Sequence, residues 1–343
     1  WTRGDVCSWC GGRSYHYIHT EISELAAQYF LEKATPQIGK IINILCKSKC
    51  RSWEARLKLF DAIVSSTLLY GAEFWASQYL HTVERGQVRF FKQLLCWPKC
   101  TPDYIVRLET GRVRLSVTIF RKMLSFWIRV LAMEGNRLPK LCFERLKELD
   151  RISDKGAQRN WFGQLRKWLT IIGEQDVIYK TEVDSVKEML PDLIEKWKNH
   201  EISVDVQRAI NSSYSTLYRH ISGLGAPEQY VTYNSAIDKI RVVSQLRVSS
   251  DKIIRIWYRA GGYHSIDTQS VCNVCNLNKC ETLEHFLLEC PNYSPFRKRY
   301  FSEFIADKDD IHWLLNIQNS NHLDKMYFFI IAALKLRSFC LNE

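Results

Sequence analysis

Four residues in the last third of this chain constrain its folding more than any others. They are Cys272, Cys275, His285 and Cys290, and their spacing is Cys-x2-Cys-x9-His-x4-Cys. Two cysteines three positions apart fit on a tight turn with both sulfurs aimed at one point. Thiolate and imidazole are the donors that a tetrahedral Zn2+ ion takes. Thr282 can cap a short helix that carries His285, Phe286 and Leu287, and Pro291 stops it. In a continuous α-helix, residues five apart point about 140° away from each other, so the helix has to unwind near Glu289 for Cys290 to turn inward. Four protein ligands leave no open position, and the spacing therefore predicts a structural Zn2+ site, not a catalytic one. Two alternatives stand beside it: Cys280 replaces one of the four ligands, or the thiols and the histidine are core residues without a metal.

The rest of the chain has to bury this element. With 343 residues, 46% of them apolar, there is material for two or three compact units with real cores. Its longest apolar stretches, such as residues 327–334, fall well short of the roughly 20 residues that span a bilayer, and no membrane partner is expected. Twelve cysteines scattered over a long chain with no export signal point to reduced thiols and metal ligation, hence to a protein of the nucleus or cytoplasm. The first residue is Trp1 rather than methionine, which fits a fragment or truncated product.

Charge narrows the partners. Lys and Arg number 48 against 37 Asp and Glu, a net charge of +11. From Arg85 to Leu131 ten basic residues (Arg85, Arg89, Lys92, Lys99, Arg107, Arg112, Arg114, Arg121, Lys122 and Arg129) face two acidic ones, Asp103 and Glu109. A field of that sign favours a polyanion, with phosphate backbones ahead of anionic membrane surfaces; an ordinary solvated helix face is the competing reading. Helical spacing explains how the cations reach one surface. Ser52 is a plausible N-cap for a long helix with Trp53, Leu57, Phe60, Val64 and Leu68 on one side. A second helix, 82–96, ends before Trp97-Pro98 and puts Arg85, Arg89 and Lys92 on one face. A third, 115–133, buries Ile119, Met123, Phe126, Trp127 and Val130 and leaves Arg121, Lys122 and Arg129 outside.

Elsewhere the signals are weaker. Aromatic and β-branched residues around Gly11-Gly12 predict a hairpin over 6–18. Helices are expected at 141–149, 161–172 and 181–199, a polar link at 150–160, and loops at 211–218 and 223–227. Cys7 and Cys10 repeat the two-residue gap, with His16, His19, Cys46 or Cys50 as possible co-ligands. A gap of five residues to His16 is much tighter than the usual spacer of roughly 12, so incidental thiols on a hairpin are the better reading. Asp307, Asp309 and Asp310 cluster as two-metal chemistry would need, yet they sit in what reads as a polar loop. The segment 239–259 mixes Arg241, Arg247, Lys252, Arg255 and Arg259 with Trp257 and Tyr258. Cations beside exposed rings suit RNA, whose bases stack and whose phosphates pair; a core tryptophan is the alternative.

Several of these runs resemble a known family. The run from Glu281 to Pro291, Glu-Thr-Leu-Glu-His-Phe-Leu-Leu-Glu-Cys-Pro, after Cys272-Asn-Val-Cys275, resembles the C-terminal zinc-binding region of reverse transcriptases from arthropod non-LTR (LINE-type, jockey-like) retrotransposons. The runs Trp53-Glu-Ala-Arg-Leu-Lys-Leu-Phe-Asp, Leu68-Leu-Tyr-Gly-Ala-Glu and Arg107-Leu-Glu-Thr-Gly do the same, and the similarity extends over roughly residues 30–300. It implies a mainly α protein. A thumb-like helical domain with the N-terminal hairpin occupies 1–135, a helical connecting region 136–225, and a helical domain with a small CCHC zinc knuckle 226–343. It also implies RNA and DNA as partners, template and target, beside a polymerase palm. Reverse transcription needs palm aspartates holding two metal ions. The one Asp-Asp pair here, Asp309-Asp310, lies beyond the zinc site, and the endonuclease of such elements has no counterpart. The resemblance thus implies a nucleic-acid-gripping part that neither polymerises nor cuts by itself. Two other readings stay open: a helical protein-interaction scaffold stabilised by zinc, and part of an active polymerase whose palm lies upstream of residue 1.

Overall fold

The computed structural model describes residues 13–152, 160–225, 228–258, 262–302 and 310–341, with side chains from residue 23 onward. The described residues are mainly helical, as expected, with one two-stranded sheet. The principal elements are α1 (Arg13–Lys47), α2 (Trp53–Leu59), α3 (Leu80–Leu94), α4 (Asp103–Thr110), α5 (Ser116–Leu131), α6 (Leu138–Ile152), α7 (Trp161–Ile171), α8 (Val183–Ile210) and α9 (Ile237–Arg247). After them come β1 (Ile253–Tyr258), β2 (Gly262–Asp267), α10 (Ser294–Phe301), α11 (Ile311–Leu315) and α12 (Ser320–Leu341). None of these helices is long and apolar enough to cross a membrane.

The chain forms two compact units, each assembled from three stretches. One comprises Trp1–Gln37, Ile63–Gln87 and Arg114–Glu201; the other comprises Ile38–Ala62, Val88–Val113 and Ile202–Glu343. This partition is not the sequential one at 1–135, 136–225 and 226–343, because helices distant in sequence share cores.

Local signals account for most helix ends. Ser52 caps α2 by accepting from the Ala55 N–H at 3.2 Å. The long helix expected from there runs on to Leu68, with a π-helical turn at Phe60–Ser65 inside it and Ser66–Leu68 as its last piece. Helix α3 ends where Cys96 takes a left-handed backbone (φ 56°) and the Trp97 N–H bonds back to the Lys92 carbonyl at 2.8 Å. Asp310 accepts from the His312 N–H at 2.8 Å and caps α11, while Asp307 and Asp309 lie outside the described residues. The hairpin expected at 6–18 is corrected in part. Residues 13–18 belong to the 35-residue helix α1, where each added residue gains a backbone hydrogen bond that outweighs weak strand propensity. Cys7, Cys10 and Gly11-Gly12 lie outside the described residues.

In the first unit, α5 buries Val117, Phe120, Met123, Leu124, Trp127 and Val130 along one side, and Phe126 is half-buried. Phe120 packs against Trp168 and Trp197, which stack on each other at 4.8 Å. Gly86 lets α3 approach Leu68: a Cβ there would lie 2.5 Å from a Leu68 methyl.

The second unit holds the sheet. β1 and β2 pair antiparallel from Ile253↔Asp267 to Tyr258↔Gly262, and β1 packs on α9, which packs on α12. One face of the ladder is buried through Ile254, Ile256, Tyr258, His264 and Ile266. At the end of the same core, His322 is fully buried and stacks on Trp313 at 5.1 Å. Burial pushes its imidazole down to about 4 from the ordinary 6.5. The fold therefore favours the neutral ring. Its contribution is complete above pH 6.5 and is lost as pH falls toward 4, because the unfolded chain takes up a proton that the folded one resists. Urea titrations from pH 7 to pH 4 should show stability falling less steeply for His322→Gln than for the parent chain. Parallel slopes would show that His322 takes up its proton equally in the folded and the unfolded chain.

Candidate metal centre

The second unit brings Cys272, Cys275, His285 and Cys290 together. Their ligand atoms all lie within 4.8 Å of one another, and all four residues are buried. Cys275 Sγ is 3.4 Å from His285 Nε2. Sulfur and nitrogen bound at about 2.3 and 2.0 Å would place tetrahedral edges near ~3.5–3.8 Å. The four donors could thus hold a single metal ion once the widest separations close by up to about 1 Å.

Three local devices build the site. A small ladder pairs Cys272 N–H with the Lys279 carbonyl at 2.8 Å and Glu281 N–H with the Ser270 carbonyl at 2.9 Å, so the first two cysteines ride on the loop it closes. Thr282 Oγ1 accepts from the His285 N–H at 3.1 Å and starts the helical segment. That segment is a π-helical turn, His285–Glu289, closed by the Cys290 N–H on the His285 carbonyl at 2.8 Å. A turn bonded from i to i+5 stacks residues five apart, where an α-helix would separate them. The unwinding expected near Glu289 takes this form. Asn292 then donates its amide to the Val274 carbonyl and ties the two halves.

Glu289, which the ligand spacing does not reveal, orients the histidine. His285 Nδ1–H donates to Glu289 Oε2 at 3.3 Å, leaving Nε2 free for an ion. The hydrogen bonds from His285 and from Lys279 hold the Glu289 carboxyl below its ordinary range. Burial pushes the Cys290 thiol up to about 12, with Cys272 and Cys275 adding to the shift, and burial also raises Cys272. Cys272 and Cys290 thus resist ionising without a cation, so metal binding would release protons. Cys280 is exposed, 3.7 Å from the Gln269 carbonyl, and stands outside the cluster. The centre is anchored to α12, where Phe286 meets Phe329 and Arg337 pairs with buried Glu281.

The basic residues divide sharply. Arg85 and Arg89 on α3 and Arg121 and Arg129 on α5 are exposed and make no ion pair among the described residues, and Lys99 is exposed likewise. Five others of the cationic stretch have acidic partners: Lys92 with Asp103, Arg107 with Asp205, Arg112 with Asp61, Arg114 with Glu201 and Lys122 with Glu73. Two expected nucleic-acid contacts are corrected. Arg247 has 0% of its side chain exposed and is enclosed by Glu109 and Glu228 at 2.6 and 2.7 Å. Arg241 is buried and donates to the Leu94 carbonyl at 2.8 Å. Both lie on α9 under the sheet, where a guanidinium needs an internal acceptor and cannot meet a polyanion. Arg255 and Trp257 remain half-exposed on β1.

Fold and site together define a mainly α-helical protein with a buried Cys3His cluster that could hold a metal ion. No protein-family model matches the chain, nor does any curated protein or solved structure.

Proposed function

We propose that this chain is a nucleic-acid-binding part of a non-LTR retrotransposon-type reverse transcriptase, gripping RNA or DNA with exposed arginines and stabilised by a structural Zn2+ ion. The observation that carries the binding is the set of exposed guanidiniums Arg85, Arg89, Arg121 and Arg129, which have no ion pair among the described residues, in a chain of net charge +11. Unpaired surface arginines gain most from phosphate, and releasing condensed counterions drives that association. Zinc is favoured over other ions by three thiolates and one imidazole, and closed four-fold protein ligation makes it structural. The family reading rests on the sequence resemblance.

Filter binding to RNA and DNA over a salt series tests the proposal. Affinity should fall steeply with salt, and Arg85→Gln with Arg89→Gln should weaken binding to every sequence while lowering the salt slope by about 0.7–0.9 per lost contact. Absent or salt-insensitive binding would refute it. A second reading, a protein-interaction scaffold, is favoured by a cleft of about 580 Å3 in the first unit lined by Tyr29, Phe30, Lys33, Ser66, Thr67 and Tyr70, with Tyr70 71% exposed. Under that reading the arginine variants leave nucleic-acid affinity untouched.

A further inference from the structure

The outer face of the β1–β2 ladder carries Arg255, Trp257, Tyr263 and Ser265, and its composition is specific. Burial alternates along β1, so Ile254, Ile256 and Tyr258 go inward and Arg255 and Trp257 go outward. In the pairing register Trp257 lies directly opposite Tyr263, which is 60% exposed, and Arg255 lies opposite Ser265. Two aromatic residues thus share one face at opposed positions of strands spaced about 4.8 Å, with a guanidinium two residues along. Cations rim them. Arg255 Nη1 reaches Cys100 Sγ at 3.1 Å, which brings the loop bearing exposed Lys99 to the edge of the face, and exposed Lys252 precedes the strand.

The tryptophan is held rigidly. Buried Gln245 accepts from the Trp257 N–H at 2.5 Å and donates to its carbonyl at 3.1 Å, so the backbone beneath the ring is clamped from α9. A strand held in this way and flanked by cations loses little backbone entropy on receiving a flat, negatively charged partner.

We infer that this face is a stacking platform for single-stranded nucleic acid, with bases on Trp257 and Tyr263 and phosphates on Arg255, Lys252 and Lys99. It deepens the proposed function and rests on it. A duplex, whose bases are already stacked on each other, gains nothing from the rings, so the face selects single strands.

The test uses the full, metal-loaded chain with a fluorescein-labelled twelve-nucleotide oligouridylate and a blunt RNA duplex of the same length, read by anisotropy across a salt series. Trp257→Ala and Tyr263→Ala should each weaken single-strand binding by about 5- to 150-fold, with duplex binding and the salt slope unchanged. Trp257→Phe should recover most of the loss. Arg255→Gln should reduce the single-strand slope by about 0.7. Tyr263, being exposed, gives a variant that keeps the fold, and protease resistance checks each protein. Unchanged single-strand affinity in the folded variants overturns the inference, as does equal loss for duplex and single strand. A dimer of the parent chain abolished by Tyr263→Ala, with RNA binding intact, overturns it too and gives the face to a second copy. A parent chain that binds duplex alone sinks the platform but leaves the proposed function. A parent chain that binds no nucleic acid sinks both.

Discussion

Chelation should unfold the region from about residue 239 to residue 300, and one equivalent of Zn2+ should restore it. Structural zinc sites bind with about 10–16 kcal/mol at neutral pH in isolated modules, which is as large as the whole stability of an ordinary domain. Here that free energy would hold the cysteine loop, the π turn and the Asn292 tie together and in place on α12, where Phe286 and Glu281 dock. Their loss removes the support under Phe286 and Tyr293, which contact each other at 5.3 Å, and exposes the α12 residues that Phe286 and Phe301 cover. Cys290→Ser should reproduce the effect. Cys280→Ser should leave metal content and folding unchanged, because that thiol faces solvent away from the cluster. Metal analysis should give one ion per chain, and cobalt in its place should show the bands of a tetrahedral thiolate site. A chelated protein with unaltered protease resistance over this region would refute the assignment.

The second large effect belongs to the buried network around Arg247. Its Nε bonds to Glu109 Oε1 at 2.6 Å, its Nη2 to Glu228 Oε2 at 2.7 Å and to the Ile221 carbonyl at 3.2 Å, and its Nη1 to the Leu315 carbonyl. Tyr218 and Tyr230 donate their hydroxyls to the two oxygens of Glu109 at 2.9 and 2.5 Å. Burial alone would disfavour the Arg247 charge, but Glu109 and Glu228 outweigh it and keep the guanidinium protonated. Burial and then Glu109 raise the two phenols, which stay donors. Glu109→Ala removes one of the two carboxylates around Arg247 and strands both hydroxyls. Breaking a buried pair from one side costs about 3–5 kcal/mol, enough to take much of the stability of a domain. Glu109→Gln keeps an acceptor and should cost less. Replacing Glu109, Glu228 and Arg247 together by apolar residues of similar volume should cost less than Glu109→Ala alone, since no charge is left buried. Urea unfolding decides it, and a Glu109→Ala loss below about 1 kcal/mol would show that the network adds nothing.

How far the sequence discloses these features depends on the distance over which they are built. The four clustered ligands were legible because they span Cys272 to Cys290 and because tetrahedral ligation tolerates few spacings. Arg85, Arg89, Arg121 and Arg129 were legible as exposed because helical period alone separates them from Val88, Phe91 and Trp127. The buried arginines were not. Arg247 meets Glu109 across 138 positions and Arg107 meets Asp205 across 98, and no local pattern carries a pairing of that length. Charge inside a helix also hid α4, whose residues Ile105 to Thr110 are all buried although Arg107 and Glu109 make it read as surface. The hairpin of β1 and β2 was readable from the alternation of Ile254, Ile256 and Tyr258 and from Gly262. Arg255 and Arg259, set among these apolar residues, give the same run the look of a cationic surface.

The π turn between His285 and Cys290 has a consequence for how such sites evolve. A helix bonded from i to i+5 is seldom chosen by its own backbone, so here the donors select the helix type. An intervening four residues is one more than an ordinary α-helical step from i to i+4 contains, and the backbone absorbs the surplus as a wider coil. The centre therefore works as a gauge for the chain that passes through it. Losing one residue in this interval converts the wide coil into a regular one with both donors still on the same side, whereas gaining one leaves Cys290 facing away. Deleting one residue between His285 and Cys290 should therefore keep metal binding and inserting one should abolish it, which the metal content of the two variants would show.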